Sequence, residues 1–195
     1  YSDGHIAISG ESDSGNLPIK LAGQSVLGGQ TDAFISKLLP DILRAGSAQN
    51  TLIWSTFLGG RGTDTVYGMA LQPNTSTPTL WLTGFSHSDA FPGLSEGLSI
   101  SGHSDAFVSQ LIFNPDLNQT ELIDSRLIGG SASDTGYDIA VTPNNTAYLI
   151  GGTHSEDLAT LNPLQKDLNN DGDYDDSSEY DLSTSQGEGD AFIAA

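Results

Sequence analysis

The chain contains no cysteine, which excludes disulfide bonds and thiol chemistry. Basic residues are also scarce, because 6 lysines and arginines stand against 25 aspartates and glutamates, a formal net charge of −19. Nucleic-acid backbones and anionic lipid surfaces attract basic side chains, so we expect no nucleic-acid partner. No hydrophobic run approaches the ~20 residues that span a bilayer, so we expect no membrane insertion. We interpret the composition as that of an acidic secreted or cell-surface protein kept soluble by its charge.

Short apolar segments separated by turn residues make up most of the sequence. Segments such as 52–58 and 67–71 carry aromatic or β-branched side chains and are bounded by Gly, Pro, Asn or Asp. With 23 glycines and 15 aromatic residues, we expect a folded chain with many turns. Residues 34–44 are ambiguous between strand and helix, and Pro40 interrupts them. No other segment sustains a helical period, so the sequence predicts an all-β protein.

Three sequence elements recur in the same order along the chain. The longest, residues 58–71, returns without a gap as residues 128–141, at an offset of 70. The other two are an Asp-Ala-Phe motif and an apolar strand that ends in glycine. Their copies are residues 31–35, 104–108 and 189–193 for the motif, and 5–10, 80–84 and 147–151 for the strand. Roughly ten strands, with about four in a full repeat, match the blade of a β-propeller.

We therefore predict four-stranded antiparallel blades in an incomplete or open propeller of about two and a half to three blades. The repeat region is a single domain spanning residues 1–195, with units at about 1–58, 59–128 and 129–195. The order Leu-Gly-Gly, Asp-Thr-x-Tyr-x-x-Ala, an apolar strand ending in Gly, and Ser-Asp-Ala-Phe-Val resembles the bacterial seven-bladed β-propeller repeat, often called the SBBP repeat. This resemblance implies a secreted or surface-displayed scaffold of several blades, without an agreed catalytic chemistry.

The spacing of the repeats departs from that of the family. The Asp-Ala-Phe motifs lie 73 and then 85 residues apart, whereas common propeller blades have ~40–50 residues. We expect insertions at residues 39–50, 114–120 and 161–188 to account for the difference. So few repeats cannot close a ring, which needs at least about four blades. Further blades of a longer parent chain, or other copies of this chain that pair through exposed strand edges, would complete it.

An aspartate recurs in the turn before each repeated strand. Aspartates in turns most often accept backbone N–H groups, so we interpret five of them as structural turn residues, with ligand or metal binding as the less favoured alternative. These residues are Asp32, Asp64, Asp105, Asp134 and Asp190. The glycine pairs at 59–60 and 129–130 predict a positive φ or a close approach of strands. His87 and His154 lie in equivalent turns, where we expect solvated side chains.

The most chemically specific segment is an aspartate-rich loop between residues 167 and 179. Its order D-x-N-x-D-G-x-x-D places oxygen-bearing side chains at positions 1, 3, 5 and 9 and resembles EF-hand-like calcium loops, including those of dockerins. The predicted Ca²⁺ ligands, inside an inserted acidic segment at 162–188, are Asp167, Asn169, Asp171, Asp173, Asp175, Asp176 and Glu179. Position 12 is Ser178, where an EF-hand has a bidentate Glu, so Asp175, Asp176 or Glu179 must complete the ligand shell.

No catalytic motif is present in the sequence, which lacks GxSxG, HExxH, P-loop and dinucleotide-binding patterns. We therefore expect a non-enzymatic, calcium-stabilised extracellular structural or adhesion module that can self-assemble through strand edges. The first alternative is a carbohydrate- or protein-binding propeller, in which Trp81, Tyr148 or aromatic residues of the loops form a stacking platform for a glycan or a surface protein. The second alternative is a propeller-fold hydrolase or lyase, since a fold does not determine a function.

Removal of calcium should loosen residues 162–188 without unfolding the strands. The segment from Asp167 to Asp190 holds nine acidic residues, which repel one another unless a cation offsets their charge. We expect limited proteolysis to cut this segment faster in EGTA than in millimolar calcium, with no change in the rest of the fragment pattern. Identical cleavage under the two conditions would contradict a calcium loop.

Overall fold

The computed structural model describes residues 4–39, 52–72, 75, 77–95, 98–159 and 190–195. Within these ranges the chain forms strands and no helix, which confirms the all-β prediction, and none of this part is a membrane-spanning helix. The strands are β1 (Ile6–Ser12), β2 (Asp32–Leu38), β3 (Leu52–Leu58), β4 (Asp64–Leu71), β5 (Thr79–Ser86), β6 (Asp105–Asn114), β7 (Gln119–Ile128), β8 (Asp134–Val141), β9 (Ala147–Thr153) and β10 (Asp190–Ala194). The calcium loop predicted at 167–179 lies outside the described residues.

The strands form three antiparallel sheets in which neighbours in sequence are neighbours in space. The central sheet is β4-β5-β6-β7, and the flanking sheets are β1-β2-β3 and β8-β9-β10. The central sheet lies between the other two, because β4 packs against β1 and β2 on one face while β8 packs against β4 and β5 on the other. The described strands form open sheets and no closed barrel.

The recurring sequence elements occupy equivalent places in the three sheets. The element at offset 70 supplies β4 and β8, each the first strand of its sheet. The apolar element ending in glycine supplies β1, β5 and β9, and the Asp-Ala-Phe element supplies β2, β6 and β10. Each repeated segment therefore has a fixed pairing partner, as expected when one supersecondary unit is copied along a chain.

Equivalent irregularities interrupt the pairing of the equivalent strands. The register of β4 on β5 shifts between Val66 and Gly68, and that of β8 on β9 shifts between Gly136 and Asp138. A shift of this kind is a β-bulge, which leaves one residue without a partner and turns its side chain away from the regular alternation. β2 and β6 share a second irregularity at matching positions.

Apolar side chains fill the spaces between the sheets. Leu82 and Phe107 are fully buried, and Phe91 packs on Phe107 with ring centroids 4.7 Å apart. The main cluster consists of Ala33, Ile35, Trp54, Leu58, Val66, Leu80, Leu82, Phe91, Phe107 and Leu111. Burial of such side chains stabilises the fold by roughly 1.5–3 kcal/mol each, so this cluster stabilises the packing of the first sheet against the central sheet.

The glycine that ends the apolar element is required by the bulge opposite it. Gly84 pairs with Val66, and a Cβ at position 84 would collide with the carbonyl group of Thr65. Gly151 stands in the same relation to Thr135 in the next sheet. The backbone itself occupies the space that a side chain would need, so neither position accepts a larger residue.

Substitution of Gly84 by alanine should therefore destabilise the chain. We expect the free energy of unfolding to fall by about 2–3 kcal/mol, because the carbonyl of Thr65 has to move. Gly15→Ala is the matched control, since no atom lies within 4 Å of the added methyl group, and its effect should stay within about 0.5 kcal/mol. Urea denaturation measures the two values; equal stability of both variants would mean that the bulge tolerates a side chain.

Candidate functional site: buried aspartates and an aromatic row

Four repeated aspartates open strands and are buried. Asp32, Asp64, Asp105 and Asp134 are 0–2% exposed. Each accepts a hydrogen bond at Oδ2 from the backbone N–H group four residues earlier; these donors are Gly28, Gly60, Ser101 and Gly130. The arrangement holds the turn before each strand closed, since an aspartate satisfies an N–H group that has no partner in a ladder. Asp190 begins β10, but its side chain is not among the described side chains.

The four aspartates meet in two pairs, one at each boundary between sheets. At the first boundary the N–H of Asp64 donates to the carbonyl of Thr31 at 2.9 Å, which brings the start of β4 beside Asp32. At the second, the N–H of Asp134 donates to the carbonyl of Ser104 at 2.8 Å, beside Asp105. We call these boundaries the first junction (Asp32 and Asp64) and the second junction (Asp105 and Asp134).

A glycine separates the two carboxyl groups at each junction. A Cβ at Gly59 would lie 2.8 Å from Asp32 Oδ1 and 2.8 Å from Asp64 Oδ2. A Cβ at Gly129 would likewise contact the carboxyl groups of Asp105 and Asp134. Gly59 and Gly129 are not among the glycines with positive φ, so the sequence alternative of a close approach explains them.

Serine hydroxyl groups complete the surroundings of the second aspartate in each pair. Ser86 Oγ donates to Asp64 Oδ1 at 2.5 Å, and Ser88 Oγ donates to Asp64 Oδ2 at 2.7 Å. At the second junction Ser155 Oγ donates to Asp134 Oδ2 at 2.7 Å. Hydroxyl and N–H donors favour the ionised form of a carboxyl group, so these contacts hold negative charge in the interior.

The first aspartate in each pair is harder to ionise. Burial away from water raises the pKa of Asp32, and the charge of Asp64 adds to this effect against the hydrogen bond from Gly28. Burial also raises the pKa of Asp105, with a smaller contribution from the charge of Asp134. The two junctions thus share their electrostatics as well as their geometry.

Two equivalent tyrosines project from the bulges into solvent. Tyr67 and Tyr137 are the residues skipped by the register shifts in β4 and β8, and they are 55% and 56% exposed. Their ring centroids lie 6.5 Å apart. Bulges commonly change the direction of side chains beside binding sites. Here equivalent bulges in β4 and β8, which belong to neighbouring sheets, each expose a tyrosine.

The tyrosines belong to a longer series of ring contacts, which we call the aromatic row (Tyr137, Tyr67, Phe85, His87 and His103). Consecutive ring centroids from Tyr67 onward are 5.8, 5.1 and 5.1 Å apart. These distances and the tilted ring planes are those of favourable aromatic contacts. The row runs from the bulges to the end of the central sheet at which the buried aspartates lie. His87 directly follows Ser86, the last residue of β5, and His103 lies shortly before Asp105, the first residue of β6.

His87 is the electrostatically perturbed member of the row. Partial burial lowers its pKa, and the neighbouring His103 lowers it further, while the charge of Asp64 acts in the opposite direction. A lowered pKa keeps the imidazole of His87 neutral at neutral pH, so His87 presents a ring without charge. Within the described part of the chain, no group of three or more His, Asp or Glu side chains could hold a metal ion.

The residues singled out from sequence are distributed differently from the expectation. Trp81 is 8% exposed and packs inside the protein, so its proposed place in a stacking platform is wrong. Tyr148 is exposed, but it is not part of the aromatic row. His87 contacts His103 rather than its repeat equivalent His154, which lies against the carbonyl of Ser133.

Sequence reasoning missed the aromatic row, although one signal for it was present. Tyr67 and Tyr137 are aligned by the offset of 70, but their exposure depends on a bulge that only strand pairing reveals. No family model matches the chain, and the search of curated proteins gives no match either. The candidate site therefore rests on the geometry described above.

The pKa of His87 should lie below the ordinary value of 6.5 and should respond to its neighbour. We expect His103→Gln to raise it, because a like charge is removed, while partial burial keeps it below that of an exposed histidine. The pH dependence of the imidazole NMR shifts measures the change. His154→Gln is the matched control and should leave His87 unaffected; a His87 that titrates above 6.5 would contradict the contact.

Proposed function

We propose that this chain is a non-enzymatic extracellular adhesion module of the β-propeller type, which binds a neutral glycan along its aromatic row. In this proposal the central sheet is one four-stranded blade, and the flanking sheets are parts of the blades on either side. The observation that carries the proposal is the pair of equivalent tyrosines at the bulges, Tyr67 and Tyr137. They are exposed side by side on β4 and β8, the first strands of two neighbouring sheets.

The chemistry of the row favours a carbohydrate ligand. Tyrosine and phenylalanine offer flat apolar faces, against which the C–H face of a sugar ring can stack, and tyrosine adds a hydroxyl group for hydrogen bonding. The net charge of −19 disfavours nucleic acids and other polyanions, and the neutral His87 adds no compensating positive charge. A neutral glycan satisfies both conditions.

The position of the carboxyl groups supports binding over hydrolysis. A glycosidase needs two carboxyl groups that reach the substrate, whereas the four paired aspartates are 0–2% exposed and accept internal hydrogen bonds. A groove of about 240 Å³ beside Trp54 and Phe113 has Lys37 as the one ionisable residue among its described lining residues. Neither place offers a pair of accessible acids.

Calcium and self-assembly remain parts of the proposal. A Ca²⁺ ion at residues 167–179 would order the acidic insertion at extracellular calcium concentrations, where such modules bind at ~10⁻⁴–10⁻³ M. β1 is an edge strand of the first sheet with Ile6 and Ile8 exposed, and β10 is an edge strand of the third sheet with Ile193 exposed. Such edges are templates for strand addition, and other blades or other copies of the chain would add there.

Loss of either bulged tyrosine should weaken glycan binding with little effect on the fold. We expect Tyr67→Ala and Tyr137→Ala each to reduce affinity by about tenfold, a typical cost for an aromatic residue at the centre of an interface. Tyr148→Ala is the matched control, since it removes an exposed tyrosine outside the row. A glycan array selects the ligand and titration calorimetry measures its affinity.

Two results would contradict the proposed function. The first is a wild-type chain that retains no glycan on the array in the presence of calcium. The second is a Tyr148→Ala variant that loses as much affinity as the two row variants, which would place the binding surface elsewhere. Thermal unfolding of each variant shows whether a lost affinity comes from a lost fold.

A further inference from the structure

We propose that each junction binds one proton between its two buried carboxyl groups, so that sheet-to-sheet packing is stabilised as the pH falls from neutral. The proton resides on Oδ1 of Asp32 at the first junction and on Oδ1 of Asp105 at the second. Asp64 and Asp134 remain ionised. This site for a proton goes beyond the proposed glycan-binding function and does not depend on it.

Unpartnered oxygen atoms are the first observation that supports the proposal. Among the described residues, no donor reaches Asp32 Oδ1 or Asp105 Oδ1, although both atoms are buried. A buried carboxylate oxygen without a donor is destabilising, because it has lost its water and gained nothing in exchange. A proton on that atom turns it from an unsatisfied acceptor into a donor.

A second carboxyl group lies on the other side of each junction. Asp32 Oδ1 and Asp64 Oδ2 converge on the space above the Cα atom of Gly59, each 2.8 Å from the position of an added Cβ. Asp105 Oδ1 and Asp134 Oδ2 converge in the same way above Gly129. Two carboxyl groups that border the same buried space hold one proton more readily than they carry two charges.

The donors at the junctions decide which aspartate is ionised. Asp64 accepts hydrogen bonds at both oxygens, from Ser86, Ser88 and the N–H of Gly60. Asp32 accepts hydrogen bonds at Oδ2 alone, from Gln24 at 2.7 Å and Gly28 at 2.8 Å. More donors stabilise more charge, so the first junction keeps its negative charge on Asp64.

The second junction shows the same asymmetry in a weaker form. Asp134 accepts hydrogen bonds from Gly130 at 2.8 Å and Ser155 at 2.7 Å. Asp105 accepts longer ones from the N–H and hydroxyl groups of Ser101, at 3.1 and 3.4 Å. The shorter bonds favour the charge on Asp134, and Asp134 Oδ1 is itself left without a described donor.

Among the described residues, the groups bonded to the four aspartates do not supply a positive charge in place of the proton. The donors that reach the four aspartates are neutral amide, backbone and hydroxyl groups. Two acids lie on the neighbouring elements: Glu11, which accepts from Thr65, and Asp157, which accepts from Ser131. The other titratable or charged groups there are exposed Arg61, His154, and the pair His87 and His103 beside the central sheet. Among the described hydrogen bonds, none of these groups donates to the four aspartates, so none of them neutralises a junction.

The sign of the pH dependence follows from the direction of the shifts. The pKa values of Asp32 and Asp105 are raised in the folded chain, so protonation favours the fold. This stabilisation is complete below the pKa of the unfolded chain and is lost as the pH rises through the folded pKa. The free energy of unfolding should therefore decrease as the pH rises above about 4.

The experiment compares thermal unfolding of the wild type and of the double variant Asp32→Asn, Asp105→Asn between pH 4.5 and 8, in EDTA. Asparagine is shaped like a protonated aspartate, and its amide can donate where the carboxyl proton did. We expect the variant to have a Tm about 2–4 °C above that of the wild type at pH 8, and the difference to shrink toward pH 4.5. Asp13→Asn combined with Asp116→Asn removes two exposed charges and controls for net charge.

A second variant and a direct titration keep the test decisive if a variant fails to fold. Asp64→Asn removes the ionised partner and should lower Tm at every pH, because an amide has one acceptor oxygen and cannot accept from Gly60, Ser86 and Ser88 together. In the wild type, ¹³Cγ NMR should show two aspartates that titrate above the exposed ones. Absence of such aspartates would overturn the proposal. So would a rise in wild-type Tm with sodium, potassium or calcium that Asp32→Asn, Asp105→Asn abolishes, because a cation would then occupy the junction.

Discussion

The close approach of two buried carboxyl groups over a glycine is the constraint on which the rest of the structure depends. Gly59 and Gly129 carry no side chain, so the aspartates of adjacent sheets can occupy the space above their Cα atoms. Backbone hydrogen bonds from Asp64 to Thr31 and from Asp134 to Ser104 join the sheets at the strand starts, and the apolar cluster packs the first sheet against the central sheet farther along. A buried acid is costly, and its repeated use here indicates that it fixes geometry more than it adds stability.

The sequence predicted the strands better than it predicted the site. The segment 52–58 was identified from its aromatic and β-branched side chains, and it is β3 with the same bounds. The internal offset of 70 identified β4 and β8 as copies. Local alternation carries enough information for this, since a half-buried strand leaves its period in the sequence. The all-β fold class could therefore be predicted without any knowledge of the sheet order.

The site could not be predicted, because its members are brought together by pairing between separate repeats. Asp32 and Asp64 belong to different sequence elements, and nothing in the repeat shows that one faces the other. The aromatic row likewise joins Phe85 to Tyr67 across two strands and His87 to His103 across a loop. Trp81 shows the converse error, since a large aromatic side chain near a turn is exposed or buried according to sheet register alone.

The bulges separate the part of each repeat that maintains the fold from the part that is free to bind. Residues in the regular ladder, such as Leu82, point into the core, and replacing them opens a cavity. Tyr67 and Tyr137 are excluded from that alternation, so their side chains contribute little to the core. The glycine opposite each bulge and the aspartate at the strand start keep the backbone in place beneath them. A repeat built in this way can change its exposed residue without changing its sheet, which is the property that a surface-binding module requires.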